Sequence, residues 1–313
     1  MERYLAITGG VGGAKLALGL SRALSPEQIM FAVNTGDDFE HLGWQISPDI
    51  DTLTYTLAGL SNQGVGWGRE DESWAFMNTL EELGGETWFR LGDKDLALHT
   101  YRTQRLGTGA TLTEVTAEIS RKLGIRHRIL PMSDQPVRTT VNTPEGPLAF
   151  QHYFVRDRCK PTVTGFEFSG IKSATLNPAI ATALDGLSGI IICPSNPFVS
   201  VDPMLEIPGV RDLLSSADTP VVAVSPIVGG SAIKGPTAKM MAELNVPATA
   251  TQVAAHYGEL LDGFVLDQVD EDLHDTLSMP TVVTQTVMIT LQDRVDLARK
   301  TLEFIKTLQG TSD

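Results

Sequence analysis

The sequence predicts an α/β fold, in which a mainly parallel sheet lies between two layers of helices and carries a small helical insert. Apolar segments of four to six residues alternate with stretches of helical periodicity along most of the chain. This alternation is typical of a parallel sheet that is covered on both faces. A glycine-rich turn connects the first apolar segment to the first helical stretch. Together these features predict a Rossmann-like, three-layer core.

The predicted core strands are short apolar runs that are bounded by turn residues. They lie at residues 3–8, 29–34, 128–131, 189–193, 220–225 and 263–267. Helices are predicted at residues 14–24, 50–60 and 291–308, the last because its apolar residues recur every three or four positions. Residues 137–154 predict a hairpin or a small antiparallel extension, with Pro144-Glu145-Gly146 as its turn.

The alternation of strands and helices stops in the middle of the first half of the chain. Helices without an intervening strand are predicted at residues 68–84, 93–106 and 111–124. We therefore expect an α/β core of residues 1–59 and 124–313, interrupted by a helical insert subdomain of residues 60–123.

Charge and composition exclude several classes of protein. The net charge of −14 argues against nucleic acid or an anionic membrane surface as a partner. The apolar runs are too short to span a bilayer, and the first residues lack a signal-peptide pattern. Cys159 and Cys193 are the two cysteines, too few for a disulfide framework. We expect a cytoplasmic protein.

The loop at residues 8–15, Thr-Gly-Gly-Val-Gly-Gly-Ala-Lys, is a candidate phosphate site. Gly10, Gly12 and Gly13 would leave backbone N–H groups open at a helix N-terminus, and Lys15 adds a cation there. The pattern is not the dinucleotide fingerprint, because the third glycine of that motif is missing. It is not a P-loop either, because the Gly-Lys-Ser/Thr ending of a P-loop is missing. The alternative is that these glycines only permit a tight crossover.

Four carboxylates follow the second predicted strand: Asp37, Asp38, Asp49 and Asp51. Open α/β sheets bind ligands at the carboxyl ends of their strands, and carboxylates with phosphate oxygens are usual ligands of Mg²⁺. Clustering them in so acidic a chain is unfavourable unless a cation lies among them. Alternatively, Asp37 is a turn residue, and Asp49 or Asp51 caps the following helix.

A further cluster follows Arg90 in the predicted insert. If Asp93 caps a helix, then Asp95, His99 and Arg102 lie on one helical face, which could close over a substrate. Taken by itself, such a cluster is more often a solvated helix face.

Two polar loops follow later predicted strands. Ser195 and Asn196 stand between two prolines after the strand at 189–193, and Gly229 and Gly230 follow the strand at 220–225. Both loops could be simple turns, but their succession favours a binding crevice. There is no Gly-X-Ser-X-Gly motif and neither cysteine has a reactive context, so nucleophilic acyl or thiol catalysis has little support.

Eight motifs in order resemble the CofD family: GGVGGAK, NTGDD, ISPDIDTLTYTL, GWGREDESW, LGDKDLALH, ILPMSD, PSNPFVSVDPML and AVSPIVGG. No single motif is unique, but the series runs from about residue 5 to residue 235 and more loosely to the end. The resemblance implies a transferase of coenzyme F-420 biosynthesis. Its acceptor is 7,8-didemethyl-8-hydroxy-5-deazariboflavin, and its donor is a guanosine diphosphate ester of lactate or a related three-carbon acid. The ribityl terminal hydroxyl attacks the acid-bearing phosphorus, and GMP leaves with Mg²⁺ assistance.

Carried over by position, the resemblance implies that Asp51 and Arg90 bind the deazaflavin. Asp37, Asp38 and Asp51 are the candidate metal ligands, and Asp51 and Asp38 the candidate catalytic residues. Donor and phosphate contacts are assigned to Gly10, Gly12, Gly13, Lys15, Ser195, Asn196, Gly229 and Gly230. The family also implies a homodimer. If Asp51 is one of several repelling carboxylates, replacing it with Asn should leave stability unchanged or raised.

Two other functions compete with this one. The first is a non-catalytic, sugar-nucleotide-binding regulator of the gluconeogenesis-factor type, a sister family that looks similar over the first glycine loop. The second is an NAD(P)-dependent oxidoreductase, which is disfavoured because Asn34 replaces the acidic residue expected at the end of the second strand. The sequence does not distinguish lactate, enolpyruvate and glycerate as the acid on the donor.

Overall fold

In the computed structural model, the described residues are 1–62, 64 and 68–310. Part of the GWGREDESW motif, Gly66 and Trp67, lies outside the described residues. The strands are β1 Tyr4–Thr8, β2 Ile29–Val33, β3 Phe39–His41, β4 Trp44–Ile46, β5 Arg128–Pro131, β6 Arg138–Asn142, β7 Leu148–Ala149, β8 Gly165–Ser169, β9 Gly189–Ile192, β10 Val221–Val224, β11 Ile227–Val228, β12 Ser231–Ala232, β13 Gly263–Asp267 and β14 Thr281–Thr284.

The helices cover both faces of the sheet and fill the predicted insert. They are α1 Gly10–Ala23, α2 Pro48–Ala58, α3 Ala75–Glu82, α4 Asp93–Gly107, α5 Leu112–Lys122, α6 Pro178–Ala183, α7 Asp202–Leu205, α8 Val210–Ser215, α9 Thr237–Glu243, α10 Ala250–Tyr257 and α11 Leu291–Gln309. Among these described helices, none combines the length and the apolar character that a membrane span requires.

The central sheet has seven strands in the order β14-β13-β10-β9-β1-β2-β5. All of its pairings are parallel, which confirms the predicted class. Every residue of β1, β2, β9, β10 and β13 is buried, because helices cover both faces. The edge strand β14 was not predicted, since it is a short Thr-Val-Val-Thr segment whose residues are all half-buried.

The two faces of the sheet build two separate cores. Leu5 and Ile7 of β1 point into one, and Tyr4 and Ala6 into the other, as strand geometry requires. The second core lies under α1 and α11. These helices approach so closely that a Cβ at Gly19 would stand 1.9 Å from the carbonyl oxygen of Arg294. A larger residue at position 19 would therefore separate the two helices.

The three helices predicted for the insert are present as α3, α4 and α5, but the first is shorter than the predicted residues 68–84. It begins at Ala75 and ends at Glu82, and Arg69 before it forms a β-bridge with Ser61. Met77, Leu91 and Leu96 form one small apolar cluster with Ile46 of β4. A second cluster joins α4 and α5 to Tyr55 of the core helix α2. The insert therefore packs on the core through α2 and β4, and its status as a separate subdomain stays a prediction.

Several local predictions need correction. Helix α1 begins at Gly10 rather than at residue 14, so the expected glycine loop is the first helical turn. The predicted hairpin at 137–154 is formed by β6 and β7, and β8 extends it to three antiparallel strands. A further hairpin, β3–β4, lies between the second strand and α2 and was not predicted. Ser47, and neither Asp49 nor Asp51, is the N-cap residue of α2.

Candidate functional site

One large cleft, of about 450 Å³, opens at the carboxyl ends of the parallel strands. Its wall is formed by the first turn of α1 and by the loops that follow β1, β2, β9 and β10. Residues from the insert and from the segment after β7 complete it. This is the edge at which open α/β sheets bind ligands, because the strand order reverses there and separates neighbouring loops.

Most of the predicted site residues line this cleft. They are Gly10, Gly12, Lys15, Asp37, Asp51, Arg90, Ser195 and Asn196. The four that are not among its lining residues are Gly13, Asp38, Gly229 and Gly230.

The N-terminus of α1 is partly occupied by the protein's own carboxylate. The Gly10 N–H donates to Asp49 Oδ1 at 2.7 Å, and Asn34 Nδ2 donates to Asp49 Oδ2 at 2.9 Å. Val11 and Gly12 of the same turn line the cleft. Since the first N–H groups of a helix have no carbonyl one turn back, these two remain available to an anion.

Ser195 and Asn196 face the cleft but are also engaged within the protein. Ser195 Oγ accepts from the Gly9 N–H at 3.1 Å and donates to the Gly9 carbonyl at 2.9 Å. Asn196 Oδ1 accepts from the Phe198 N–H at 3.0 Å, which caps the π-helical turn Pro197–Val201. Both side chains thus shape the loop that a ligand would contact.

Gly229 and Gly230 form the turn between β11 and β12, with φ values of +55° and +76° that favour glycine. The Gly229 N–H donates to the carboxylate of Asp270 at 3.0 Å and 3.2 Å. The predicted phosphate contact at these glycines is therefore not supported by their position. Lys234, four residues later, does line the cleft.

Two lysines stand at the α1 end of the cleft. Lys15 Nζ donates to the Met288 carbonyl at 2.9 Å. Partial burial lowers the pKa of Lys15, and the nearby charges of Arg294 and Lys234 lower it further. The pair therefore provides concentrated positive charge beside the helix N-terminus. Lys234 is not among the residues that the sequence analysis assigns to the site.

Three buried carboxylates form no ion pair in the described residues, although Arg138 and Arg102 lie close enough to Asp38 to oppose the rise of its pKa. Asp37, Asp38 and Asp49 are 6–7% exposed, and none forms an ion pair within 4 Å. Burial raises the pKa of Asp38 to about 7 and that of Asp49 to about 6, and burial together with Asp49 raises the pKa of Asp37 well above its usual value. One oxygen of Asp37 and one of Asp38 have no hydrogen-bond partner in this described part of the chain.

Asp51, by contrast, is paired. Arg102 Nη1 donates to Asp51 Oδ2 at 3.0 Å, and Nη2 donates to Oδ1. Arg102 is 1% exposed and also donates to the Gln45 carbonyl at 3.3 Å. Burial opposes the charge of Arg102, but the Asp51 carboxylate outweighs it and raises the pKa of the guanidinium. Asp51 is therefore held in the cleft wall as a fixed carboxylate.

The predicted common face of α4 is confirmed, and its interpretation as a solvated face is wrong. His99 and Arg102 are each 1% exposed. His99 Nε2 lies 3.3 Å from Asp95 Oδ2 and His99 Nδ1 lies 3.7 Å from Asp51 Oδ2, while the Tyr55 hydroxyl donates to Asp95. Asp51, Tyr55, Asp95 and His99 all line the cleft. Sequence spacing identified three members of this network but not Tyr55.

Asp93 does not cap its own helix, since Gly92 is the N-cap residue of α4. Its carboxylate instead accepts from the N–H groups of Ala75 and Phe76 at 3.1 Å, and thus stabilises the start of α3.

Apolar side chains form the wall on the insert side of the cleft. Ile46, Phe89, Phe150, Phe154 and Val155 line it. Arg90 follows Phe89, and its guanidinium lies 5.2 Å from the Trp74 ring centroid, while Nη2 donates to Asn78 Oδ1 at 3.2 Å. Arg90 is thus an exposed cation at the rim of an aromatic surface. Sequence reasoning missed this surface, because its members come from three distant segments.

The whole chain is similar to one protein family. The family model described as 2-phospho-L-lactate transferase CofD matches residues 5–305. A 2-phospho-L-lactate transferase from Methanosarcina mazei is 36% identical over 294 residues, which cover 93% of this chain and 96% of that protein. A phosphoenolpyruvate transferase from Streptomyces griseus is 36% identical over 318 residues, covering 98% and 100% of the two chains.

The fold also resembles a solved structure. A UPF0052-family protein from Bacillus halodurans superimposes with a TM-score of 0.64 at 15% identity, covering 96% of this chain and 99% of that one. At this identity the likeness shows a common fold alone. The sequence relationships go further, because they extend over nearly the full length of proteins named as transferases: the chain belongs to the CofD family of 2-phospho-L-lactate transferases.

Proposed function

We propose that the protein transfers a phospho-three-carbon-acid group from a guanosine diphosphate ester to 7,8-didemethyl-8-hydroxy-5-deazariboflavin, with release of GMP. The observation that carries this proposal is a single cleft with two different ends, in a chain of the CofD family. One end offers lysines and a helix N-terminus, which suit a diphosphate. The other offers an aromatic wall with Arg90 at its rim, which suits a flat acceptor. A transferase of this kind must bind both substrates side by side.

The donor would bind at the α1 end. The N–H groups of Val11 and Gly12, with Lys15 and Lys234, would contact the diphosphate oxygens. The loop at Ser195 would shape the space for the remainder of the donor. In-line displacement at phosphorus needs little covalent chemistry from a protein, because positioning and charge neutralisation supply most of the rate.

Asp51 would orient the attacking hydroxyl of the acceptor. Its two contacts with Arg102 hold the carboxylate in place in the cleft wall. An ionised carboxylate accepts a hydrogen bond from a ribityl hydroxyl and so directs a lone pair of that oxygen toward phosphorus. Asp38 is not among the cleft residues, and its Oδ2 accepts from Ser47 Oγ at 2.8 Å, so its support for catalysis would be indirect.

The residues present are compatible with Mg²⁺. No three His, Cys, Asp or Glu side chains in residues 1–62, 64 and 68–310 are arranged to hold a metal ion by themselves. Mg²⁺ typically takes one or two carboxylates and completes its shell with phosphate oxygens and water. The unpartnered oxygen of Asp37 and the cleft-lining carboxylate of Asp49 fit that requirement. When bound, the ion would neutralise phosphate charge.

The identity of the transferred acid is tested by assay. Relatives named for phospholactate and for phosphoenolpyruvate are each 36% identical to this chain, so overall identity does not select between them. Purified protein should be incubated with the deazaflavin and with guanosine diphosphate esters of lactate, enolpyruvate and glycerate, and the products measured by mass spectrometry. Transfer from at least one donor, with GMP released in equal amount, is expected.

Absence of transfer from all three donors would contradict the proposal. Failure of the protein to bind the deazaflavin at all would favour the non-catalytic regulator instead. We further propose a cytoplasmic homodimer, on the family resemblance alone.

A further inference from the structure

We infer that the paired rings of Phe150 and Phe154 are the platform on which the planar ring of the acceptor stacks. Both side chains line the cleft. Their ring centroids lie 5.4 Å apart and their planes differ by 9°. The inference rests on the proposed function, since it names the part of the same cleft that recognises the acceptor.

The hydrophobic core supports one ring of the platform. Phe150 is 7% exposed and belongs to the hydrophobic core, whereas Phe154 is 39% exposed. The intervening Tyr153 is fully buried and anchors the π-helical turn His152–Arg156. π-Helical turns are rare in proteins, and a large share of those known lie at functional sites. Phe154 therefore presents an aromatic surface whose backing ring is fixed by the core.

The neighbourhood of the platform matches a flat, largely apolar group. The ring of Trp88 lies 4.7 Å from that of His152 and 5.6 Å from that of Phe89, so the aromatic wall continues from this turn to Phe89. Arg90 comes next in the chain and stands at the rim. Lys15 and Lys234 line the cleft where the donor diphosphate is proposed to bind, whereas Lys239, whose Nζ lies 3.5 Å from the Tyr153 hydroxyl, is paired with Glu243 at 2.6 Å. A fused aromatic ring is thus better matched here than at the lysine end.

The platform is also close to the reacting end of the site. Gln151, between the two phenylalanines, donates through Nε2 to the Asp37 carbonyl at 3.5 Å. A ring stacked on Phe154 would therefore leave its ribityl chain within reach of the carboxylates. The guanine base is the competing occupant, because it too is planar.

The test compares three variants with the parent. Phe154→Leu keeps an apolar side chain but removes the ring, and Phe154→Tyr keeps the ring. Phe76→Leu is the matched control: Phe76 is 37% exposed and packs on Trp44, and it is not among the described cleft residues. Deazaflavin affinity is measured by fluorescence titration and GDP affinity by calorimetry, after circular dichroism confirms folding.

For Phe154→Leu we expect deazaflavin binding to weaken roughly threefold to tenfold, the range of one aromatic pair, with GDP binding unchanged. Phe154→Tyr and Phe76→Leu should bind both ligands like the parent. Parent-like deazaflavin binding by Phe154→Leu, or a loss of GDP affinity instead, would overturn the platform while leaving the proposed function intact. A parent protein that does not bind the deazaflavin would overturn both.

Discussion

The site contains two kinds of buried carboxylate. Asp51 has a cationic partner, whereas the unpaired carboxylates Asp37 and Asp49 form no ion pair among the described residues. Asp51 is 5% exposed and Asp37 is 7% exposed, so burial does not separate them. Asp51 has the guanidinium of Arg102 in two-point contact. Asp49 accepts a hydrogen bond from the Gly10 N–H, and one oxygen of Asp37 has no hydrogen-bond partner. Neither residue forms an ion pair among the described residues.

The pKa of a buried carboxylate in this site therefore depends on whether it has a cationic partner, rather than on how deeply it is buried. An unpaired charge in a low-dielectric site is unfavourable, and the group responds with a raised pKa. Asp49 and Asp37 show that response. In a chain of net charge −14, these two carboxylates form the place where an added cation would stabilise most. Asp51 already has a cationic partner, and its two contacts with Arg102 fix the position of its carboxylate.

Removal of divalent cations is expected to have the largest effect. If Mg²⁺ binds to the unpaired carboxylates Asp37 and Asp49, EDTA should abolish transfer and added MgCl₂ should restore it. The readout is product formation by mass spectrometry, with circular dichroism to verify that the treated protein stays folded. Full turnover in metal-free buffer would show that the unpaired carboxylates function without a cation.

Arg102→Met should cause the greatest loss of stability, because Asp51 is then buried without a counter-ion. Breaking such a pair typically costs about 3–5 kcal/mol. The control is Arg105→Met on the same helix, whose ion pair with Glu118 spans 2.8 Å and whose side chain is 38% exposed. Solvent screens that exposed pair, so its loss should change the free energy of unfolding much less. The free energy of unfolding of both variants is measured by urea denaturation. Equal losses for Arg102→Met and Arg105→Met would contradict the expected difference between a buried and an exposed ion pair.

Asp51→Asn removes the negative charge from the ion pair with Arg102. We expect turnover to fall by roughly two orders of magnitude or more, as when one electrostatic stabiliser is deleted. The expectation from sequence, that stability stays equal or rises, is reversed by the ion pair. Arg102 would lose its counter-ion, so the melting temperature should fall. Near-normal turnover in the folded protein would assign Asp51 a structural role only.

Arg90→Ala tests the proposed contact between Arg90 and the deazaflavin, which involves neither kind of buried carboxylate. Loss of a charged hydrogen-bond partner costs roughly 1.5–3 kcal/mol, so deazaflavin affinity should fall about tenfold to a hundredfold. GDP affinity should be unchanged. Arg126→Ala, whose side chain is 78% exposed, is the control and should bind both ligands like the parent. If Arg90→Ala titrates deazaflavin like the parent, the acceptor binds elsewhere.

Asp37→Asn is expected to have the smallest effect and the opposite sign to Asp51→Asn. Removing a carboxylate that burial and Asp49 disfavour should raise the stability of the metal-free protein, by about 0.5–2 kcal/mol. The exposed Asp218→Asn should leave it unchanged. Thermal unfolding in EDTA measures the difference. A destabilised Asp37→Asn protein would mean that the hydrogen bond between Asp37 and Asn34 outweighs the cost of burying the carboxylate.

Much of the fold could be predicted because its signals are local. The buried strands are short continuous apolar runs, and all six predicted core strands are present within one residue of their expected ends. The start of α1 was misplaced, because glycine has low helix propensity and contacts with distant residues hold this turn. The hairpin β3–β4 and the edge strand β14 are short and partly polar, so they lack a strong pattern.

The α/β class, the glycine turn after β1 and the concentration of acidic residues after β2 can all be predicted from the order of residues along the chain. These depend on apolar periodicity and on residue order, which are properties of neighbouring positions. The hydrogen-bond and ion-pair partners of those acidic residues depend on the three-dimensional packing. Arg102 reaches Asp51 from 51 positions away, and Asp49 reaches Gly10 from 39. Which carboxylate is neutralised depends on how helices pack against one another, and that packing depends on contacts between residues far apart in the chain.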